Sequence, residues 1–117
     1  IKPDWTESRE LFDEFDKQIK KLRYETRIKF TKVYIAYMSK HGRNYVEIVP
    51  QQAGIKVYFR FHASSIKSTL KIEDISNKGH VANGISFVHI SDVSQVPEAI
   101  RLAEESYKYL HKDIKEK

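Results

Sequence analysis

Hydrophobic side chains recur every three or four residues near both ends of the chain, as they do on one face of an amphipathic helix. The first set predicts a helix from about Ser8 to Tyr24, with its apolar face formed by Leu11, Phe12, Phe15, Ile19 and Leu22. The second set predicts a last helix that begins at Asp92 or Ser94. This start places Pro97 in the first helical turn, where proline is tolerated. Its buried stripe is formed by Val96, Ile100, Ala103, Tyr107, Leu110 and Ile114.

Between these helices the pattern changes to the composition and the two-residue alternation of strands. Residues 32–38 are rich in β-branched and aromatic types, and residues 44–49 read as the returning strand after a turn at Gly42. Residues 55–61 alternate between apolar side chains and polar ones, which indicates a half-buried antiparallel strand. Residues 85–90 form a further apolar run, whereas residues 63–84 predict an irregular connection with room for one short strand.

These elements predict a single α+β domain over residues 1–117. We expect an antiparallel β-sheet of four to five strands with the N- and C-terminal helices packed on one face, in the order α-β-β-β-(β)-β-α. A chain of 117 residues is long enough to bury a core without disulfides or metals. Because the sequence starts at Ile1 rather than Met, we also expect a domain taken from a longer polypeptide.

Charge is distributed unevenly along the chain, although the net charge is only +5. Residues 17–71 carry thirteen basic and two acidic side chains, whereas residues 1–16 carry two basic and six acidic ones. Residues 72–117 are mildly acidic. Such asymmetry is typical of proteins with an anionic partner. The alternative is a dipolar surface in which acidic helices neutralise the neighbouring basic strands.

Several classes of chemistry are excluded or disfavoured by composition. Without cysteine the chain has no disulfide, no thiolate nucleophile and no cysteine-ligated zinc, which fits a reducing compartment. No apolar run approaches the roughly 20 residues that span a bilayer, so we expect no membrane partner. No sequence feature calls for a cofactor.

The polar face of the three central strands is the first candidate site. If Val33 and Ile35 face the helices, the opposite face carries lysine, arginine and tyrosine, which can contact phosphates and stack on bases. The alternatives are a solvated sheet face or a face covered by another domain. The predicted nucleic-acid-binding residues, including nearby cations, are Lys32, Tyr34, Lys40, Arg43, Tyr45, Lys56, Tyr58 and Arg60.

A second candidate lies in the irregular connection, at Gly79, His80, Asn83 and Gly84. Two glycines five residues apart let a backbone approach a ligand closely, and a histidine can donate to an anion. The segment is not a phosphate-cradling loop, because the lysine and hydroxyl residue after the second glycine are missing. The alternative is a simple turn whose histidine bonds to a local backbone group.

Catalytic and metal-binding patterns are weak. The five histidines show no short ligand spacing, and no nucleophile elbow of the type G-x-S-x-G occurs. Glu47 is the only acid of the strand-rich middle, which argues against a metal-dependent nuclease centre. We predict no catalytic residue and no metal ligand. An enzyme centred on His80, with Asp74 or Glu47 as its partner, is the least favoured class.

Several of these segments together resemble a known family. Residues 34–37, 44–51 and 55–58 resemble the core of a bacterial domain of unknown function, formerly labelled "predicted transport protein". Residues 79–84 are similar to that family's Gly-His-Trp-Gly-x-Gly element, with Val81 and Ala82 in place of the usual Trp and Gly, and Ser106-Tyr107 also matches. The resemblance implies an accessory module near nucleic-acid processing, in a cytoplasm. The family's domain often occurs alone or at the C-terminal end of restriction-endonuclease-related proteins.

These observations favour a non-catalytic binding or accessory module. Its expected partner is nucleic acid or another domain of a longer protein. The alternative is a protein–protein interaction or dimerisation domain that docks through an apolar sheet edge or a helix face. A second copy of the chain is therefore also an expected partner.

Overall fold

The computed structural model describes residues 2–75 and 85–114 of the chain. These residues form a six-stranded antiparallel sheet and two long helices, in the predicted α+β class. The strands pair in the order β1-β2-β3-β4-β6-β5. The elements are α1 (Thr6–Ile19), β1 (Thr26–Phe30), β2 (Ile35–Ser39), β3 (Asn44–Gln51), β4 (Gly54–Phe59), β5 (Glu73–Asp74), β6 (Ser86–Ile90) and α2 (Val96–Leu110).

Both helices pack on one face of the sheet, over β3 and β4, as predicted. Alternate strand residues point into this interface, because side chains of a strand face opposite sides in turn. The core contains α1 residues such as Phe15, α2 residues such as Leu102 and sheet residues such as Ile48, all of them fully buried. No helix in the described part of the chain is long and apolar enough to cross a membrane.

The sheet has one more long strand than the sequence patterns suggested, and that strand is β1. Its five residues are mostly exposed, so they lack the strong apolar run by which the other strands are recognised. The first helix ends at Ile19 rather than near Tyr24. Leu22 and Tyr24 still pack against the core, from the segment that connects α1 to β1.

The strand expected at residues 32–38 begins only at Ile35, because residues 31–34 form a turn. Thr31 stabilises this turn: its hydroxyl oxygen accepts hydrogen bonds from the backbone N–H groups of Val33 and Tyr34. Val33 therefore lies in this turn rather than in the strand, and 48% of its surface is exposed.

A β-bulge at the start of β3 changes which side chains face the helices. Tyr37 pairs with Val46 but Met38 pairs with Asn44, so Tyr45 is an extra residue in β3. Its side chain turns into the helix-facing core and is fully buried. The hydroxyl group of Tyr45 lies 2.7 Å from Thr26 Oγ1. The prediction that Tyr45 lies on the outer sheet face is therefore wrong.

The outer face of the sheet, away from the helices, has its own small apolar cluster. Tyr58 and Ile75 are buried in it, and Tyr34, Val49 and Phe87 pack around them. Ile75 reaches Tyr58 because its backbone N–H bonds to the carbonyl of Ile85 beside β6. This face is consequently not the uniformly polar surface that the alternation in β4 suggested.

Candidate functional site

Three cationic side chains line one groove at the end of the sheet where the β2–β3 turn meets the end of α2. The groove has a volume of about 500 Å³ and its lining contains no acidic residue. We call it the basic groove; it is lined by Lys29, Met38, Gly42, Arg43, Asn44, Arg60 and Leu110. Two of the predicted site residues, Arg43 and Arg60, therefore lie together in it.

Lys29 reaches the groove because of its position in β1. Ile28 pairs with Tyr37, a core residue, so Ile28 points toward the helices and its neighbours Arg27 and Lys29 point away from them. Sequence reasoning missed Lys29, since β1 itself was not recognised. The alternation of polar and apolar residues in Thr26–Phe30 was the signal that could have revealed it.

Arg43 is held at the end of α2 by three hydrogen bonds. Its guanidinium group donates to the carbonyl oxygen of Leu110 at 2.8 Å and to the two carboxylate oxygens of Asp113 at 3.0 and 3.4 Å. The hydrogen bonds between Arg43 and Asp113 raise the pKa of Arg43 and lower the pKa of Asp113. Arg43 thus combines a fixed position with a partly compensated charge.

Arg60 follows the end of β4, and its backbone is tied to α2. Its backbone N–H donates to Ser106 Oγ at 2.8 Å, and its guanidinium group donates to the carbonyl oxygen of Asn44 at 3.3 Å. No ion pair among residues 2–75 and 85–114 involves Arg60 or Lys29. Both cations can therefore meet an external anion without first breaking such a pair.

The other predicted site residues are spread over the sheet. Lys40 is exposed in the β2–β3 turn, two residues from Gly42 of the groove. Lys32 and Tyr34 lie at the opposite end of β2, where they line a separate pocket. Lys56 lies on the outer face with its ammonium group 5.1 Å from the centre of the Phe87 ring. The predicted set is thus not one continuous surface.

The predicted tyrosines do not form a stacking platform beside the groove. Tyr45 is enclosed in the core, where its ring contacts Tyr107 edge-on at 5.1 Å. Tyr58 is only 6% exposed, and burial raises its pKa. Tyr34 is half-buried and lies away from the groove. The arrangement in this conformation favours contacts to phosphate over stacking on bases.

A serine–histidine pair lies next to the groove but is closed to substrates. Ser39 Oγ and His111 Nε2 are 2.7 Å apart, and His111 Nδ1 is 2.8 Å from the carbonyl oxygen of Tyr107. The carbonyl can only accept, so Nδ1 carries a proton. Only 2% of Ser39 and 5% of His111 are exposed. A nucleophile must reach its substrate, so this pair is better explained as a link between β2 and α2.

The second predicted site, Gly79, His80, Asn83 and Gly84, lies outside the described residues, and with it the enzyme hypothesis that centres on His80. Within residues 2–75 and 85–114, no group of three or more histidines and acids is placed to hold a metal ion.

Comparison with known proteins identifies the family but no characterised relative. Residues 2–109 match the model of a family described as "Domain of unknown function (DUF5655)". No curated protein and no solved structure matches the chain significantly. The matched range contains α1, the six described strands and α2 up to Tyr109, together with every residue that lines the basic groove except Leu110. The chain therefore belongs to this DUF5655 family.

Proposed function

We propose that this domain is a non-catalytic module that binds nucleic acid through its phosphate groups, with the basic groove as the anchor. The observation that carries the proposal is the lining of the groove by Lys29, Arg43 and Arg60 with no acidic residue among them. Positively charged grooves of this kind follow a nucleic-acid backbone, because each cation replaces a condensed counterion at a phosphate.

The surroundings of the groove extend its positive charge. Both helices end near it: the rings of Tyr24 and Tyr107 stack with centres 3.8 Å apart, and Arg43 bonds to Leu110 at the end of α2. This end of the molecule also carries the exposed lysines that follow α1, occupy the β2–β3 turn and follow α2, namely Lys21, Lys40 and Lys112. A phosphate chain that leaves the groove would therefore meet further cations.

The buried tyrosines refine the proposed mode of binding. Base stacking needs exposed aromatic faces, and Tyr45 and Tyr58 do not offer them. Binding is therefore proposed to depend on phosphates alone and to show little preference for base sequence.

We also propose a setting for the module, namely accessory binding beside a DNA-processing domain of the restriction or defence type in a bacterial cytoplasm. The support is the resemblance described above and the absence of cysteine. The coding sequence around this domain tests the setting. A nuclease or other DNA-processing domain in the same polypeptide supports it, and only unrelated neighbours would argue against it.

The binding itself is tested by fluorescence anisotropy with a labelled oligonucleotide of about 16 nucleotides, the upper range for one small binding domain. We expect binding at low salt, with log K falling against log[salt] at a slope of about −2 for three single-strand phosphate contacts. An abasic oligonucleotide of equal length should bind equally well. If only the oligonucleotide with bases binds, the phosphate mode is wrong; if neither binds, the proposed function is wrong.

A further inference from the structure

The outer edge of β1 carries the most exposed apolar strand residues in the described part of the chain. Within residues 2–75 and 85–114, β1 pairs only with β2, and the helices lie mainly over β3 and β4, so its helix-facing side chains are only partly covered, with the ring of Phe30 edge-on to that of Phe12 in α1. Phe30 is 66% exposed and Ile28 is 37% exposed, and Val33 in the following turn is 48% exposed. Exposed apolar side chains on an unpaired strand edge mark a surface onto which another strand can be added.

The backbone of β1 presents hydrogen-bonding groups along the same edge. The N–H of Thr31 bonds to the carbonyl of Tyr34, which makes this pair a hydrogen-bonded one. In an antiparallel ladder such pairs alternate, so Lys29 and Arg27 bond to β2 while Ile28 and Phe30 present their N–H and C=O groups outward. The backbone of an added strand could therefore form hydrogen bonds with the outward N–H and C=O groups of Ile28 and Phe30.

A pocket adjoins this edge where β1 meets α1. It has a volume of about 260 Å³, and Phe12, Phe30, Val33, Ile35 and Pro50 form its apolar part. The polar groups in its lining are two cations, Arg9 and Lys32, together with Asp13 and Thr31. The pocket can hold one apolar side chain of a strand that follows β1, and its cations favour an acidic neighbour of that side chain.

Charge decides which partner fits the edge. A two-fold pairing of β1 with a second copy, centred on Ile28, would place Arg27 of one copy opposite Lys29 of the other, and like charges directly opposite are destabilising. An added strand with acidic residues on that face would instead pair with Arg27 and Lys29. In this register the edge is thus complementary to an acidic strand and repels its own copy.

We propose that the β1 edge binds an extended peptide segment in which apolar and acidic residues alternate, added as a further strand beside β1. The apolar side chains of the segment pack on Ile28 and Phe30, and one of them enters the adjoining pocket. The acidic side chains lie on the outer face beside Arg27 and Lys29. This mode is β-strand addition, in which main-chain bonds supply affinity and side-chain pockets supply specificity. It goes beyond the proposed nucleic-acid binding, although the two sites share Lys29.

The test uses a labelled ten-residue peptide of alternating leucine and glutamate, with a leucine–lysine peptide as the control. Amide hydrogen exchange is followed by NMR on the whole domain. We expect the glutamate peptide to bind more tightly, and to slow exchange at Ile28 and Phe30. Arg27 and Lys29 should already be protected in the free protein, because they bond to β2.

Three variants separate the edge from a general charge effect. Ile28→Pro removes an outward N–H without removing a hydrogen bond to β2, and it should abolish peptide binding. Ile28→Ala is its control, because it keeps that N–H. Arg27→Glu should weaken binding of the glutamate peptide roughly fivefold and strengthen binding of the lysine peptide, because it exchanges an attractive cross-strand pair for a repulsive one. The Arg27→Glu variant remains informative even if Ile28→Pro does not fold. It also leaves the lining of the basic groove unchanged, because Arg27 does not line that groove.

Three outcomes would overturn the proposal. The first is equal binding of both peptides, and the second is binding without protection of Ile28 and Phe30. The third is protection of these amides in the free protein that grows with protein concentration, because a second copy would then occupy the edge. The oligonucleotide titration is read independently, so failure of either proposal leaves the other standing.

Discussion

The hydroxyl group of Ser106 in α2 accepts a hydrogen bond from the backbone N–H of Arg60 at 2.8 Å. The same hydroxyl group donates to the carbonyl oxygen of Tyr45 at 2.6 Å. Ser106 is fully buried, so no water can easily replace it. One small side chain of the helix layer thus fixes the bulged residue of β3 and the backbone of a cation in the basic groove.

Ser106→Ala should destabilise the domain by about 1–3 kcal/mol, because it leaves a buried backbone donor and a buried backbone acceptor without their partner. The free energy of unfolding from urea denaturation measures this. The matched control is Ser64→Ala in an exposed turn, which should change that free energy by less than about 0.5 kcal/mol. Equal effects of the two substitutions would show that the buried link contributes little.

Tyr37→Phe should destabilise the domain by about 2 kcal/mol, since the hydroxyl group of Tyr37 donates to the Asp16 carboxylate at 2.9 Å. Burial, followed by the nearby charge of Asp16, raises the pKa of Tyr37 well above its usual range, so the hydroxyl group stays protonated and keeps donating. Tyr34→Phe is the matched control, because the Tyr34 hydroxyl group makes no hydrogen bond with residues 2–75 or 85–114. A cost no larger than that of the control would contradict the prediction.

Stability should fall in acid partly because of Glu98. Hydrogen bonds from Arg101, and then from Ser68, lower the pKa of Glu98 from 4.5 to about 2. A lowered pKa in the folded state contributes stability above pH 4.5, and that stability is lost as the pH falls toward 2. The pair is partly exposed, so we expect a contribution of about 1 kcal/mol or less.

The melting temperature of the wild type and of Glu98→Gln, followed between neutral and acid pH, measures this contribution. The wild type should melt higher near neutral pH, and the difference should shrink through the window from 4.5 to about 2. A difference that does not depend on pH would assign the effect of the substitution to packing rather than to charge.

The helices and the central strands could be predicted from periodicity, because their apolar faces are buried and the pattern records that burial. β1 has only a short alternation of polar and apolar residues, and its side chains are largely exposed, so its signal is much weaker. The turn at residues 31–34 depends on the hydroxyl group of Thr31, which has no strong signal in the pattern.

The site was only partly predictable, because it depends on pairings between distant segments. Arg43 and Arg60 were identified from charge, and the sheet brings them together with Lys29. The bulge that buries Tyr45 arises from the register of β2 against β3, and Tyr58 is buried because it packs against Ile75. No local pattern contains these two relationships. The bond between Ser39 and His111, which are 72 residues apart, is equally hidden.

Anisotropy titrations of the wild type, Arg60→Ala and Arg9→Ala with one labelled oligonucleotide, over a range of salt concentrations, test the central claim most directly. Arg60→Ala removes a cation of the groove but keeps the N–H that bonds to Ser106, whereas Arg9 lies in α1 and lines the pocket near β1 instead. The account predicts a wild-type slope of about −2, a slope smaller in magnitude by about 0.7 for Arg60→Ala, and no change for Arg9→Ala. Equal slopes and affinities for the two variants, or no binding by the wild type at low salt, would contradict it.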